Sequence, residues 1–233
     1  MLRLLRKLRR IYRVVIGKDV FITPDIKCAC KKIGNDYGSW VIADNQLDQG
    51  SVVYSFGVGE DVTFDLELIN EYNVRINAFD PTPKSIDWIK AQNLPQNFIL
   101  YEYGLSDFDG EVKFKPPRNP EFVSHRIVEG NDTGGKSISV AVKKIETIMK
   151  ELGDDKINLM KMDIEGSEYS VIENLKTSDI KPDQLLIEFH HRFPEVGIKK
   201  TIKAIGVLRE MGYKVFSVSE SGEEISFIYK NMC

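Results

Sequence analysis

Three cysteines in 233 residues, Cys28, Cys30 and Cys233, are too few and odd in number, so they make no disulfide framework. Cys28-Ala29-Cys30 holds at most half of a metal site, because no second cysteine or histidine pair completes it. Free thiols in a reducing cytoplasm are the expectation. No apolar run approaches the roughly 18–20 residues that span a bilayer, and the N-terminus lacks the uninterrupted apolar core of a secretion signal. Residues 1–16 contain no acid. Their six bases (Arg3, Arg6, Lys7, Arg9, Arg10, Arg13) leave the rest of the chain at −9, against −3 for the whole. So acidic a body argues against a nucleic-acid binder, which needs a basic face for phosphates. At 42% hydrophobic and 29% charged, the composition also argues against disorder, and the length suits one domain with a sizeable core.

Within residues 2–16 the two residue classes segregate. At about 100° per residue, Leu4, Leu5, Leu8, Ile11, Tyr12, Val15 and Ile16 fall on one half of a helical wheel and all six bases on the other, with Val14 the exception. This predicts a basic amphipathic helix in residues 1–20, ahead of a domain at 21–233. Two roles fit it: a packing element with solvated charges, or a helix lying on an anionic membrane. The second places the protein in the cytoplasm, peripheral on the inner face of a membrane.

From Val52 the chain alternates. Strand 52–56, a helix near 61–72, strand 74–79, a helix near 84–92 and strand 98–103 spell βαβαβ, an α/β fold with a parallel sheet. Residues 111–142 read as an insertion. Two alternating strands, 111–115 and 137–142, flank a turn-rich stretch from Pro116 to Gly135, expected to be a mobile loop suited to substrate recognition. The winding then resumes with helix 144–152, strand 158–162, a helix after Gly166, strand 185–189 and helix 199–211, with Gly212 as its cap. Runs 214–218 and 225–229 are too close for a crossover, so an antiparallel hairpin should close the edge. Trp40-Val41-Ile42 reads as a short strand leading into the domain.

The first strand ends in Ser55-Phe56-Gly57-Val58-Gly59-Glu60-Asp61, the shape of a nucleotide-binding turn. A dinucleotide fingerprint wants a third glycine at position 62, where Val62 stands. Glu60 and Asp61 also put two carboxylates where a pyrophosphate would meet the helix. S-adenosylmethionine, with a cationic amino-acid part and no phosphate, suits those acids. Asp80 ends the second strand 23 residues beyond Gly57, where an acid can accept both ribose hydroxyls. Asp163, Glu188 and His190 end later strands, at the same edge of the sheet.

Three blocks carry a resemblance: residues 55–61, Phe79-Asp80-Pro81-Thr82-Pro83, and Lys161-Met162-Asp163-Ile164-Glu165-Gly166-Ser167-Glu168. Over roughly residues 37–229 the chain resembles the FkbM-type S-adenosylmethionine-dependent methyltransferases. The resemblance implies a Rossmann-like, seven-stranded, mostly parallel methyltransferase sheet and O-methyl transfer to a sugar, glycan or natural-product hydroxyl. It implies that Phe56, Gly57, Val58, Gly59 and Asp61 border the methionine part of the cofactor and that Asp80 holds the ribose. Pro81 and Thr82 would flank the adenosine, Leu105 and Ser106 the adenine edge, and Asp163 the reacting methyl.

A sugar hydroxyl is weakly acidic, so a base is expected, with Asp163, Glu165 and His190 as candidates. His191 should point away from His190, because neighbours on an extended chain alternate. Asp163, Glu188 and His190 offer a divalent ion mixed ligands, although no spacing demands one. Two rivals stand beside methyl transfer: an inactive cofactor-binding module that localises a glycan-assembly complex, and a nicotinamide-dependent oxidoreductase.

Overall fold

The computed structural model describes residues 2–115, 126–127, 137–194 and 196–230. Helix α1 (Leu2–Val15) and strands β1 (Cys30–Ile33) and β2 (Trp40–Ala43) precede the wound core. The core opens with β3 (Val52–Phe56), α2 (Thr63–Tyr72), β4 (Arg75–Phe79), α3 (Pro83–Lys90) and β5 (Phe98–Tyr101). Strands β6 (Gly104–Leu105), β7 (Gly110–Lys115), β8 (Arg126–Ile127) and β9 (Ile138–Lys143) interrupt it. It resumes with α4 (Ile145–Leu152), β10 (Leu159–Met162), α5 (Glu168–Ser178), β11 (Gln184–Glu188), α6 (Gly197–Glu210), β12 (Tyr213–Val218) and β13 (Glu224–Tyr229).

The main sheet has seven strands in the order β12-β13-β11-β10-β3-β4-β5. Strands β11, β10, β3, β4 and β5 pair in parallel, and β13 pairs antiparallel with both β11 and β12. The α/β fold and the closing hairpin are therefore as the sequence predicts. Both faces of the sheet are covered, which is why its strands read as continuous apolar runs. On one face Tyr54, Phe79, Met160 and Leu185 pack with Ile148 of α4, Ile172 of α5 and Ile205 of α6. On the other, Val53, Ile76 and Leu159 pack with Phe64 and Leu68 of α2.

Three departures matter. Strands β1 and β2 form a separate antiparallel hairpin, and Ile33, Trp40 and Ile42 cover the α2 side of the sheet. Sequence reading misses β1 because Lys31 and Lys32 break its apolar pattern. Second, the insertion begins earlier than residue 111: β6 pairs in parallel with β9, in a sheet ordered β6-β9-β7-β8. The turn-rich stretch expected to form a loop lies outside the described residues, apart from β8. Third, Cys28 is disulfide-bonded, so the expectation of free thiols holds, among the described residues, for Cys30 alone. That bond removes the cysteine-based argument for a reducing compartment.

Helix α1 inverts the packing arrangement the sequence allowed. Arg10, from the basic face, donates to the Ser219 carbonyl at 3.1 Å. Leu8, Ile11, Tyr12 and Val15 are exposed, Val15 by 78%. Among the described residues, no helix is long and apolar enough to cross a membrane.

Candidate active site

The chain runs from β3 through β4 to β5 on one side, then returns to β10 on the other side of β3. In such sheets a crevice opens at that reversal, outside the carboxyl ends of the strands. A cavity of about 160 Å³ lies there. Its walls are residues 56–59 after β3, residues 80–82 after β4, Leu105 of β6, and Asp163, Ile164 and Glu165 after β10. Phe114 of β7 and Val142 of β9 close it from the insertion. A second, shallow depression, lined by residues 47–50 and 71–73, sits at the opposite end of the strands and gathers no comparable chemistry.

The two glycines of the turn do different work. Gly57 has φ +74°, and a Cβ there would stand 1.7 Å from the Asp163 carbonyl oxygen. Only glycine lets β3 and β10 finish side by side. Gly59 has φ +66° and nothing within 4 Å of a Cβ position, so its side-chain space opens beside the cavity. Beneath the turn lies Lys161, buried on β10, with Nζ 2.6 Å from the Gly57 carbonyl oxygen and above the Trp40 ring.

Asp80 is 3% exposed, and its two carboxylate oxygens accept from the Gly59 and Thr82 amides, each at 2.8 Å. Burial pushes its carboxyl above the usual range, and those amides hold the rise back. The Thr82 side chain bonds to the same carboxylate, which keeps acceptor capacity beyond these three bonds. Asp80 thus shapes the glycine turn as well as facing the cavity.

Some expected contacts fall elsewhere. Asp61 accepts from the Asn35 side chain and the Thr63 amide at the start of α2, and Glu60 pairs with Lys84 at 3.3 Å. Neither acid lines the cavity. Ser106 is buried with its hydroxyl on Asp107, while its neighbour Leu105 lines the wall.

Past β10 the chain turns sharply, with Glu165 at φ +55° and Gly166 at φ +104°. Glu168, fully buried as the first residue of α5, organises this turn. Its Oε1 accepts from the Ile164 amide (3.1 Å) and the Gly166 amide (3.2 Å), and lies 2.9 Å from His190 Nδ1. The other ring nitrogen, Nε2, lies 3.6 Å from Asp163 Oδ1 and 3.5 Å from Glu165 Oε2. Burial works against a charged imidazole here, but Glu168, Asp163 and Glu165 outweigh it, and His190 is pushed up to about 10. Burial, then the charge of Asp163, pushes Glu188 up to about 9. His191 faces the other way and meets Asp19 at 2.9 Å.

The structure therefore brings Asp163, Glu165 and His190 together, as the sequence suggested. Glu168 and Lys161 were legible only as parts of a motif, and nothing marked Lys161 as buried, since a lysine in a strand reads as exposed. Asp65 was missed as well. Burial pushes its carboxyl up to about 6 against the pull of Lys161. The folded state thus holds this proton more tightly than the unfolded chain, where the value is about 3.9. Stability should fall by about 2–3 kcal/mol as pH rises from about 4 to 6, and stay lower above that. Asp65→Asn should remove that fall, as read from urea midpoints at pH 4 to 7. An unchanged pH slope would discount the buried carboxyl.

A family model for the methyltransferase FkbM domain matches residues 45–215. The chain belongs to the FkbM methyltransferase family. The match is narrower than the 37–229 expected: it ends within β12 and leaves out β13. The chain is similar to the probable methyltransferase-like protein 24 of Homo sapiens, 25% identical over 182 residues that cover 75% of this chain and 43% of that protein. It is also similar to the hexuronic acid methyltransferase AglP of Haloferax volcanii, 26% identical over 116 residues, 48% of this chain and 46% of that one. The chain thus spans less than half the length of these curated relatives. A solved FkbM methyltransferase from Methylobacillus flagellatus KT shares the fold, with a TM-score of 0.51 and 17% identity over 78% of this chain and 44% of the other.

Proposed function

We propose that this protein is an S-adenosylmethionine-dependent O-methyltransferase acting on a hydroxyl of a sugar, glycan or natural product. The observation that carries the reading is the cavity, with a glycine cradle on one side and, on the other, the acids Asp163 and Glu165 backed by the His190 imidazole. The residues fit the cofactor: the open space at Gly59 admits ligand where a side chain would stand, and Asp80 keeps acceptor capacity for a ribose hydroxyl. Gly57–Gly59 would border its methionine part, residues 80–82 the nucleoside, and Leu105 the base. Bound there, S-adenosylmethionine supplies a methyl carbon activated by the sulfonium. The protein's own tasks are to align the acceptor oxygen about 3 Å from that carbon and to take its proton. His190, beside Asp163 and Glu165, is held in place by Glu168. Asp163, on the cavity wall and with its side chain 32% exposed, is placed to accept the proton. AglP is named for methylating a hexuronic acid, which supports a sugar acceptor.

Calorimetry tests the cofactor assignment. Wild-type protein should bind S-adenosylmethionine and not NAD. Asp80→Ala should weaken binding by about 1.5–3 kcal/mol. It should also lower the melting temperature, because the Gly59 and Thr82 amides lose their acceptor. NAD binding would favour an oxidoreductase, and an unchanged affinity would remove Asp80 from the site. Cofactor binding without methyl transfer to any member of a glycan pool, followed by mass spectrometry with labelled cofactor, would leave an inactive localising module.

Helix α1 supports a second, separate contact. We propose that its exposed Leu8, Ile11, Tyr12 and Val15 rest in the surface of an anionic bilayer, with the neighbouring bases meeting the headgroups. Deleting residues 1–16 should abolish salt-sensitive binding to phosphatidylserine-containing vesicles and leave cofactor affinity intact. A full-length protein that ignores such vesicles at low salt would refute the membrane contact.

A further inference from the structure

We propose that Asp163, Glu165 and His190 form a divalent-cation site, with Glu168 holding the imidazole in its ligating orientation. One oxygen from each carboxylate and a nitrogen of His190 all lie within 4.8 Å of one another. The separations from Nε2, 3.5 and 3.6 Å, are long for hydrogen bonds. They are close to the roughly 3–3.5 Å that separates ligands bound about 2.1 Å from one ion. The imidazole is not free to turn. His190 is 7% exposed, and its Nδ1 is engaged by Glu168 at 2.9 Å. A carboxylate on Nδ1 keeps the hydrogen there and directs the Nε2 lone pair outward, the usual way a protein presents a histidine to a metal. Here Nε2 faces two carboxylate oxygens, and among the described residues it makes no hydrogen bond; a bound ion takes the place of a proton there. A proton on Nε2 would serve the carboxylates only through the long contacts, whereas an ion would bond all three atoms.

The backbone supports the same assignment. Glu165 adopts φ +55°, a conformation that non-glycine residues seldom take and that recurs at functional turns. It is stabilised by the Glu168 hydrogen bonds on either side, to the Ile164 and Gly166 amides. The effect is to aim the Glu165 carboxylate at the ring. Two carboxylates with one imidazole suit Mn²⁺ and similar first-row ions better than an all-oxygen calcium site or a thiolate zinc site. Three protein ligands leave positions open, and Asp163 and Glu165 face the cavity. An acceptor hydroxyl entering there would meet the ion, which lowers the cost of losing its proton. That catalytic role rests on the methyl-transfer reading; occupancy of the site does not.

The test is Mn²⁺ titration of the full-length protein after chelation, read by calorimetry and by the paramagnetic resonance of free Mn²⁺, without cofactor or acceptor. One ion per chain is expected. Asp163→Asn and Glu165→Gln, both on a partly exposed turn, should each weaken binding about 100-fold. Glu168→Gln should weaken it about 10–100-fold, the usual effect of removing a carboxylate behind a ligating histidine. Absence of saturable binding, or binding that these variants leave unchanged, overturns the site. S-adenosylmethionine is titrated into the same preparation. Ion binding without cofactor binding would sink the methyl-transfer reading alone, and cofactor binding without an ion would sink this one alone.

Discussion

Gly57→Ala should cost about 4 kcal/mol or more of stability and lower the melting temperature by about 10 °C or more. Two effects add. The left-handed backbone at φ +74° disfavours any side chain by about 1–2 kcal/mol. The larger effect is steric, because the new methyl would sit 1.7 Å from the Asp163 carbonyl oxygen. That oxygen belongs to the main chain just past β10, so relief means parting the ends of β3 and β10. Their separation would disturb the Asp163 amide bond to the Phe56 carbonyl and the Lys161 contact with Gly57 as well. Gly59→Ala is the control. Its φ is also positive, but the space is open, so it should cost only about 1–2 kcal/mol. It should instead weaken S-adenosylmethionine binding tenfold or more, because the methyl enters the cradle. Thermal melts and calorimetry on both variants separate the roles. A Gly57→Ala protein melting within a few degrees of wild type would show that the strand ends are not so constrained.

Asp163→Asn should lower turnover about 100-fold or more while leaving cofactor affinity nearly unchanged. The amide keeps the shape of the carboxylate but cannot take a proton or carry charge. The side chain is partly exposed and its backbone amide still bonds to Phe56, so the fold should persist. Kinetics and calorimetry on one preparation give both quantities. Affinity falling before turnover would instead place Asp163 on the cofactor's ammonium group. Partial rescue by added Mn²⁺ would tie the loss to a cation at the same carboxylate. Wild-type turnover would remove Asp163 from the chemistry and leave Glu165 as the acid on the cavity wall.

Much of this architecture is legible in the linear chain, for local reasons. Apolar runs of strand length alternate with helical periodicity, and that order dictates a wound sheet whose strand ends must share an edge. Gly57, Gly59, Asp80 and Asp163 stand at those ends, so their convergence follows from topology before any coordinate is known. The short connection between β12 and β13 likewise permits only a hairpin. Elements whose pattern is weak escape. Strand β1 carries two lysines, and β6 is two residues long.

What the tertiary structure alone decided are relations between residues far apart in the chain. Glu168 and His190 are 22 positions apart, and only the packing of α5 beside the end of β11 brings Nδ1 onto the carboxylate. The same packing assigns His190 to the cavity side and His191 to Asp19, a choice that alternation narrows but does not make. Lys161 lies under the glycine turn because β10 is the neighbour of β3, although 104 positions separate it from Gly57. The acids Glu60 and Asp61 look free in sequence, yet Lys84 of α3 and Asn35 of the β1–β2 turn engage them in the folded chain. Sequence determined which residues reach the edge of the sheet, because element order is a local property. Which of them face one another depends on how helices pack across the sheet, and that is a property of the whole fold.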